Sequence, residues 1–155
     1  MSAFYKIGLI SDTHGELPPK VAAIFKGVDA IVHAGDIGSR SVVQKLEEVA
    51  PVTAVRGNCD IGLLASFFED MEQFEILGHK IAVMHRLSQA QPLLDKNVDG
   101  IIIFGHTHYP EKFNRQGAFF INPGSPIRPR GFDFGTVAIL TLSEKATTLA
   151  FYETT

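Results

Sequence analysis

The fold class is decided by residues 5–36, which read YKIGLISDTHGELPPKVAAIFKGVDAIVHAGD. The apolar run over residues 5–10 is typical of a buried strand. Two prolines near the start and a glycine at the end mark residues 17–27 as a helix. A second apolar run, over residues 30–34, predicts another strand. A helical crossover normally joins parallel strands, so this stretch predicts an α/β fold.

The same alternation continues once more along the chain and then changes. A helix is predicted over residues 39–49, with Ser39 or Ser41 as its cap, and a strand over residues 51–55, which completes a βαβαβ unit. The later predicted elements are hairpin strands at 73–77 and 80–84 around Gly78 and His79, a short helix at 89–95, a strand at 100–104, and antiparallel strands at 112–115, 118–121, 136–142 and 147–152. We expect a single domain over residues 1–155, a mixed α/β sandwich that is parallel at first and antiparallel later.

Composition excludes several classes of protein. With 155 residues, of which 45% are hydrophobic, the chain has enough apolar side chains for one domain with a core. A formal net charge of -3 gives no basic face for general nucleic-acid or anionic-membrane binding. No apolar run approaches the roughly 18 residues that span a bilayer. Cys59 is the only cysteine, so no internal disulfide forms, which favours a cytoplasmic location.

Polar residues follow five of the predicted strands, at the point where each strand ends. These residues are Asp12, His14, Asp36, Asn58, His85, His106 and His108. The carboxyl ends of parallel strands gather along one edge, where α/β proteins bind ligands. We therefore expect all seven side chains to meet at one site.

Four imidazoles, two carboxylates and one carboxamide at one site indicate metal binding, because this donor set suits divalent first-row ions. Nucleophilic catalysis would need only one or two imidazoles. The pairs Asp12/His14 and His106/His108 are spaced i, i+2, so in an extended chain both members point to the same side. Seven donors exceed the four of a tetrahedral zinc site but suit two ions that share a carboxylate. Two dications, two aspartates and one hydroxide leave a charge of about +1, which attracts a phosphate ester.

Six sequence blocks resemble a known family. They are SDTHG (11–15), HAGDIG (33–38), RGNCD (56–60), VMH (83–85), FGHTH (104–108) and INPGS (121–125). Their order and sequence resemble the calcineurin-like metallophosphoesterase superfamily, and within it the small bacterial and archaeal phosphodiesterases of the YfcE type. The resemblance covers nearly the whole chain and implies a four-layer αββα sandwich of mixed β-sheets.

The resemblance also implies which residues hold each ion. The first ion is expected on Asp12, His14, Asp36 and His108, and the second on Asp36, Asn58, His85 and His106. Asp36 is expected to bridge the two ions, and Asp36, Asn58 and His85 are expected to take part in catalysis.

The implied reaction is hydrolysis of a small phosphate ester, diester or monoester, by a hydroxide that bridges the ions and attacks phosphorus. We expect Mn²⁺ as the activating ion, with Fe²⁺, Zn²⁺ or Ni²⁺ as alternatives. Family members often self-associate, so a dimer or a tetramer is also expected.

Two residues depart from the family pattern. Cys59, as is common in the small phosphodiesterase branch, stands where many members of the superfamily have a histidine that assists the leaving group. Either Asp60 or water must then protonate the leaving oxygen, or good leaving groups are preferred. Arg86 stands where relatives usually have glycine. Our hypothesis is that Arg86 contacts the substrate phosphate or narrows the entrance to the site.

Simpler interpretations apply to other polar and apolar residues. His33 and His79 are expected to be hydrogen-bonded structural histidines, and Cys59 a buried structural cysteine. Asp29, Asp60, Asp99 and Asp133 are typical of turns or caps, although Asp60 could also orient a ligand. Residues 122–125, followed by Arg128 and Arg130, either bind phosphate or form a rigid loop with solvated charges. The pairs Phe67/Phe68 and Phe132/Phe134 are expected to be exposed, where they cover the site or form a subunit interface.

The competing hypothesis is a catalytically silent scaffold or interaction protein, such as the retromer subunit that shares this fold. That subunit departs from the full ligand set, whereas this chain has all seven residues. The sequence therefore favours the enzyme.

Overall fold

Strands and helices alternate along the first third of the computed structural model, which describes residues 3–97 and 99–155. The strands within the described residues are β1 (Tyr5–Ile10), β2 (Ala30–His33), β3 (Val52–Ala54), β4 (Met71–Ile76), β5 (His79–Met84), β6 (Gly100–Ile103), β7 (Pro110–Arg115), β8 (Ala118–Pro123), β9 (Thr136–Leu142) and β10 (Thr147–Glu153). The helices are α1 (Pro19–Ile24), α2 (Arg40–Glu47), α3 (Gly62–Ser66) and α4 (Gln91–Asp95), and a turn of 3₁₀ helix (Leu87–Ala90) precedes α4. No helix within the described residues has the length and apolar character needed to cross a bilayer.

The strands form two mixed sheets of five strands each. The first sheet has the order β10-β9-β1-β2-β3, in which β1, β2 and β3 run parallel and β9 runs antiparallel to both of its neighbours. The second sheet has the order β4-β5-β6-β8-β7, with β5, β6 and β8 parallel and the two edge strands antiparallel.

The prediction that the later strands are antiparallel was wrong for β8, which pairs in parallel with β6. The strand that follows β6 in the chain, β7, lies at the edge of the sheet and not beside β6. The next strand, β8, forms an antiparallel hairpin with β7 and lies between β7 and β6, so it runs in the same direction as β6.

Three apolar clusters show how the layers pack. The first lies between the sheets and includes Leu9 and Ile103. The second, which includes Phe25 and Leu46, joins helices α1 and α2 to the outer face of the first sheet. The third packs α4 through Leu94 against the outer face of the second sheet. Each fully buried side chain of this size contributes roughly 1.5–3 kcal/mol. The expected four-layer αββα sandwich is thus confirmed.

Most predicted elements lie within a few residues of their observed positions. Ser39 caps α2, because its hydroxyl oxygen accepts a hydrogen bond from the Ser41 backbone N–H at 3.2 Å. Helix α3 was not predicted. The β4–β5 turn is formed by Leu77 and Gly78 rather than by Gly78 and His79, since both have positive φ (49° and 85°) and His79 already pairs with Ile76.

Candidate metal centre

The predicted site residues follow β1, β2, β3, β5 and β6, and the structure brings their polar atoms together. The ligand atoms of Asp12, His14 and His108 lie within 4.8 Å of one another, and so do those of Asp36, His85 and His106. These groups correspond to the two ion sites that the resemblance implies. A further group of the same kind joins His14 and Asp36 to Cys59. Asn58 lies beside the second group, with its Oδ1 3.0 Å from His106 Nδ1.

The first group is arranged around a buried carboxylate. His108 Nε2 lies 3.3 Å from Asp12 Oδ1 and also 3.3 Å from His14 Nε2. His14 Nε2 lies 3.9 Å from Asp12 Oδ1 and 3.9 Å from Asp36 Oδ2. Two imidazole nitrogens and two carboxylate oxygens thus face a common point.

Asp36 belongs to the second group and also lies close to the first. Its Oδ2 lies 3.3 Å from His85 Nε2, in the second group, as well as 3.9 Å from His14 Nε2 in the first. Its other oxygen, Oδ1, accepts a hydrogen bond from the Cys59 backbone N–H at 2.8 Å. One oxygen is therefore held by the protein while the other faces both groups of donors.

Two histidines present a defined ring nitrogen to the site. His85 Nδ1 donates to the Ala34 carbonyl at 2.7 Å, and His108 Nδ1 donates to the Arg128 carbonyl at 2.6 Å. A carbonyl only accepts, so the proton of the neutral ring must lie on Nδ1. Nε2 of each ring is then free to bind a cation, the arrangement that orients metal-bound histidines in general.

The backbone of the site is strained. Eight non-glycine residues in the described part of the chain have positive φ, and five of them are site residues: Asp12, His14, Asp36, His106 and His108. Such conformations cost about 1–3 kcal/mol each and cluster at functional sites. This corrects the premise that the i, i+2 pairs converge from extended chain, because both members of each pair adopt the left-handed region.

Glycines allow the loops to approach the carboxylates. A Cβ on Gly57 would collide with the Asp36 side chain, and a Cβ on Gly105 would collide with Ser11 and Asp12. A larger residue at either position would displace an aspartate from the site.

A buried carboxylate, that of Asp60, holds two loops of the site together. The Asp60 carboxylate accepts backbone N–H bonds from Ile37, Gly38 and Gly57, at 2.8–3.1 Å. It thereby ties the loop that carries Asp36 to the loop that carries Asn58. Asp60 thus orients the site, as the alternative interpretation expected.

The loop 122–125 is a rigid support rather than an open phosphate cradle. The Asn122 amide donates to the Gly105 carbonyl at 3.1 Å and to Thr107 Oγ1 at 3.0 Å. Ser125 Oγ donates to the Asp12 carbonyl at 2.8 Å. Asn122 and Ser125 are both fully buried.

Sequence analysis did not identify Ser11 and Thr13, the two neighbours of Asp12, as part of the site. Ser11 Oγ donates to Asp12 Oδ2 at 2.7 Å, and Thr13 Oγ1 donates to the Ile37 carbonyl at 2.9 Å. Thr13 lies between the candidate ligands Asp12 and His14, and Ser11 immediately precedes Asp12; this adjacency was the available signal.

Two histidines outside the ligand set are structural, as expected. His33 is fully buried, accepts from the Gly35 N–H at Nδ1 (3.1 Å) and bonds to Thr13 through Nε2 (2.9 Å). Burial lowers the pKa of His33 to about 4. His79 bonds to the Ser143 carbonyl at 2.6 Å, at the opposite end of β5.

The prediction of a buried Cys59 was wrong, because its side chain is exposed. The Cys59 backbone N–H points inward to Asp36, which turns the thiol toward the cleft. Desolvation, and after it the negative charge of Asp36, raise the pKa of the Cys59 thiol. The thiol is therefore not activated for redox chemistry.

Burial and neighbouring polar groups shift the pKa values of the site residues in opposite directions. Burial alone would raise the pKa of Asp36, but the His85 imidazole, 3.3 Å from Asp36 Oδ2, and a hydrogen bond from the Cys59 backbone hold it below its usual range. The Asp12 carboxylate, whose Oδ1 lies 3.3 Å from His108 Nε2, raises the pKa of His108. Desolvation lowers the pKa of His14 and of His106.

The donor set fits a divalent cation. Within the described residues, Asp12 Oδ1 and His85 Nε2 are the two buried side-chain atoms that have no hydrogen-bond partner. Such atoms are rare in folded proteins and call for an explanation. A cation would satisfy both, since a carboxylate oxygen and an unprotonated imidazole nitrogen are each electron-pair donors.

Two clefts flank the site, and arginines line both. The first, of about 360 Å³, lies between the site and residues 128–130. The second, of about 480 Å³, includes Arg86 and Gln89 and meets the first at Asn58. Arg128 and Arg130 thus line the site, although the neighbouring loop 122–125 is purely supportive.

The aromatic pairs are only partly exposed. Phe67 and Phe132 are exposed, whereas Phe68 packs against the helix-side cluster of the first sheet. The Arg40 guanidinium lies over the Phe67 ring at 4.1 Å and partly covers it.

Sequence comparison finds related proteins of known class. Residues 5–145 match the model of the calcineurin-like phosphoesterase superfamily domain. A probable metallophosphoesterase of Methanocaldococcus jannaschii is 37% identical over 138 residues, covering 80% of this chain and 69% of the relative. The phosphodiesterase YfcE of Escherichia coli is 31% identical over 150 residues, covering 81% of this chain and 82% of the relative.

Solved structures have the same fold. The structure of YfcE from Escherichia coli, described as a phosphoesterase, superposes with a TM-score of 0.72 at 26% identity, over 97% of this chain and 100% of that one. Vps29 of Chaetomium thermophilum gives a TM-score of 0.79 at 20% identity, over 96% and 85% of the two chains, and shares the fold. From its sequence blocks, its two-sheet architecture and these matches, the chain belongs to the calcineurin-like phosphoesterase superfamily.

Proposed function

We propose that this protein is a metal-dependent phosphodiesterase that uses two divalent ions to hydrolyse phosphate esters. The observation that carries the proposal is the buried, unpartnered pair Asp12 Oδ1 and His85 Nε2 at the centre of two donor groups. The family uses divalent metals, and relatives are named phosphodiesterases.

The proposed first ion is held by Asp12, His14, Asp36 and His108. A second ion would be held by Asp36, Asn58, His85 and His106, with Asp36 contributing to both sites. Bound ions would supply a bridging hydroxide as the nucleophile for phosphorus and positive charge for the phosphoryl oxygens.

The protein's own residues hold this arrangement in place. Asp36 Oδ1 is fixed by the Cys59 N–H, which leaves Oδ2 for the ions. Asn58 is proposed to bind through Oδ1, because an amide nitrogen is a poor ligand and Asn58 Nδ2 faces Cys59 Sγ at 3.5 Å. Hydrogen bonds through Nδ1 keep the His85 and His108 rings in orientation.

The leaving oxygen is proposed to take its proton from water. Both Asp60 oxygens already accept backbone N–H bonds, so Asp60 is engaged as an acceptor and is not placed to act as an acid. Diesters with acidic leaving alcohols are therefore expected to be the better substrates.

Mn²⁺ is the proposed activating ion, because mixed nitrogen and oxygen donors suit it, with Fe²⁺, Zn²⁺ or Ni²⁺ as alternatives. We also propose a cytoplasmic location and self-association as a dimer or tetramer. Exposed Phe132 and Ile61 offer apolar area for a subunit contact.

The test combines metal analysis of the purified protein with hydrolysis of bis(4-nitrophenyl) phosphate, with and without added Mn²⁺. The variant Asp36→Asn keeps the shape of the side chain and can still accept from the Cys59 N–H. It is expected to lower the affinity for metal and the rate by more than about a hundredfold. A wild-type protein that binds no divalent ion and leaves the diester intact would support a non-enzymatic scaffold instead.

A further inference from the structure

Two arginines line the first cleft together with candidate ligands. The lining consists of the candidate ligands His14, Asp36, Asn58, His106 and His108, and of Cys59, Arg128, Pro129 and Arg130. Both arginine side chains are exposed. They are therefore available to a molecule bound in the cleft.

The backbone of this segment is tied to the metal-site residues. The Arg128 carbonyl accepts from His108 Nδ1 at 2.6 Å, and the Arg130 N–H donates to the His108 carbonyl at 3.3 Å. The Arg128 N–H donates to Ser125 Oγ at 2.9 Å, and Ser125 Oγ in turn donates to the Asp12 carbonyl. The two guanidinium groups thus extend from a backbone fixed relative to the ligands.

Neither arginine is neutralised by the protein. Within residues 3–97 and 99–155, the one arginine–carboxylate pair shorter than 4.0 Å joins Arg56 to Asp70. Arg128 and His14 line the same cleft, and after the larger effect of desolvation the positive charge of Arg128 helps to lower the pKa of His14. Arg130 acts on His108 in the same direction.

Charge complementarity indicates what binds there. Two arginine side chains beside a site for two dications weaken metal binding by charge repulsion. An anion bound next to them would offset this repulsion, so the arginines are best explained by an anionic substrate. A loaded site of about +1 is balanced by the single negative charge of a phosphodiester. Arg128 and Arg130 add two positive charges, which match the charge of about −2 on a phosphate monoester.

We infer that the preferred substrate is a phosphodiester with a second phosphate, a monoester, on the ester arm that lies against Arg128 and Arg130. This inference rests on the proposed function, because it concerns the same cleft. The planar fork of each guanidinium matches phosphate oxygens in a bidentate manner.

The second cleft suits such an anion less well. There Arg56 is engaged by the Asp70 carboxylate through two hydrogen bonds, at 2.8 and 3.1 Å, which leaves Arg86 as the unpaired arginine. Asp70 itself is exposed on the wall of that cleft and would repel a phosphate. We therefore place the uncharged arm of the substrate in the second cleft.

The test uses thymidine 5′-(4-nitrophenyl phosphate) with and without a 3′-phosphate, which changes only the appended group. With Mn²⁺, the wild-type protein is expected to hydrolyse the 3′-phosphorylated diester with a kcat/KM at least about tenfold higher. In the double variant Arg128→Ala/Arg130→Ala that ratio should fall toward one. Lys145→Ala, which removes one positive charge from the exposed β9–β10 turn, serves as the control and should keep the wild-type ratio.

Calorimetry gives a readout that does not depend on turnover. In the presence of Mn²⁺, thymidine 3′,5′-bisphosphate should bind at least about tenfold more tightly than thymidine 5′-monophosphate, and the double variant should lose this difference. Equal kcat/KM for both diesters, or a preference that survives in the double variant, would overturn the inference while leaving the phosphodiesterase intact. Failure to hydrolyse either diester would count against the proposed function, and the binding comparison would still decide this inference.

Discussion

Asp12 Oδ1 and His85 Nε2 lie 3.8 Å apart, both buried and both without a hydrogen-bond partner. They come from different sheets, since Asp12 follows β1 and His85 follows β5. The Asp12 carboxylate is fully buried, so water cannot solvate this oxygen. A bound cation would therefore join the two sheets as well as fill the site.

The first prediction follows from that coupling of metal to stability. Mn²⁺ at a hundred times its dissociation constant should stabilise the wild-type fold by about 2.7 kcal/mol, a Tm rise of roughly 5–10 °C. His85→Ala should remove most of the rise, whereas His79→Gln, at the other end of β5, should retain it. Thermal unfolding with Mn²⁺ and with excess chelator measures the difference, and equal Tm values in the two conditions would contradict the prediction.

The second prediction concerns Asp60. In Asp60→Asn, an amide replaces one oxygen and faces a backbone N–H without accepting from it, which should cost about 1–3 kcal/mol of stability. The affinity for Mn²⁺ should fall by about 10–100-fold, because the loops of Asp36 and Asn58 lose their tie.

Kinetics separate this positioning role of Asp60 from acid catalysis. If Asp60 only holds the loops of Asp36 and Asn58 in place, Asp60→Asn should lower kcat/KM equally for substrates with good and with poor leaving groups. A loss confined to poor leaving groups, with metal affinity unchanged, would instead identify Asp60 as the acid.

The third prediction is a pH dependence that arises from His33. Its folded-state pKa of about 4 lies below its ordinary value of 6.5, because burial disfavours the charged ring more than the nearby carboxylates of Asp12, Asp60 and Asp36 favour it. The unfolded chain therefore binds a proton more readily than the folded one between these two pH values. The stabilisation by neutral His33 is complete above pH 6.5 and decreases as the pH falls toward 4, by about 3 kcal/mol in total.

Urea denaturation of the chelated protein at pH 7, 5.5 and 4.5 measures this loss. His33→Gln keeps a donor and an acceptor but does not titrate, so the difference in unfolding free energy between wild type and variant should shrink as the pH falls. A difference that stays constant over this range would exclude His33 as the titrating group.

Arg86 gives the fourth prediction. It is exposed in the second cleft, beside the candidate ligand His106. If Arg86 contacts the substrate phosphate, Arg86→Gly should raise KM for bis(4-nitrophenyl) phosphate by about tenfold, and Arg86→Lys should recover part of the loss. If Arg86 only narrows the entrance, Arg86→Gly should lower KM for bulky diesters. Unchanged kcat and KM would reject both roles.

The sequence predicts the strand ends and the position of the site, since these depend on local signals. The run Tyr5–Ile10 has no polar interruption between Ile7 and Ile10, and Ser39 has the side chain that caps a helix. Helix α3 has no such signal, because it is five residues long and Leu63 is exposed rather than part of an apolar stripe.

The left-handed backbone conformation of the site residues could not be predicted from the sequence, because it depends on contacts with distant parts of the chain. A positive φ is expected at glycine, whereas here Asp12, His14 and Asp36 adopt it, held by bonds from residues distant in the chain. The parallel pairing of β8 with β6 likewise depends on which position the β7–β8 hairpin fills, and not on its local pattern.

The final prediction introduces at position 59 the imidazole that the resemblance implies for many members of the superfamily. Cys59 is exposed and lines the first cleft, and its backbone N–H, which holds Asp36, does not depend on the side chain. Cys59→His can therefore place an acid near the leaving oxygen without releasing Asp36. General acid catalysis contributes up to about 10²–10⁴-fold, and we expect a gain of at least about tenfold in kcat for alkyl diesters and little gain for nitrophenyl diesters, whose leaving group needs no proton. Cys59→Ser controls for loss of the thiol. An equal gain for both classes of leaving group would show that the new side chain acts on metal or substrate binding rather than on proton transfer.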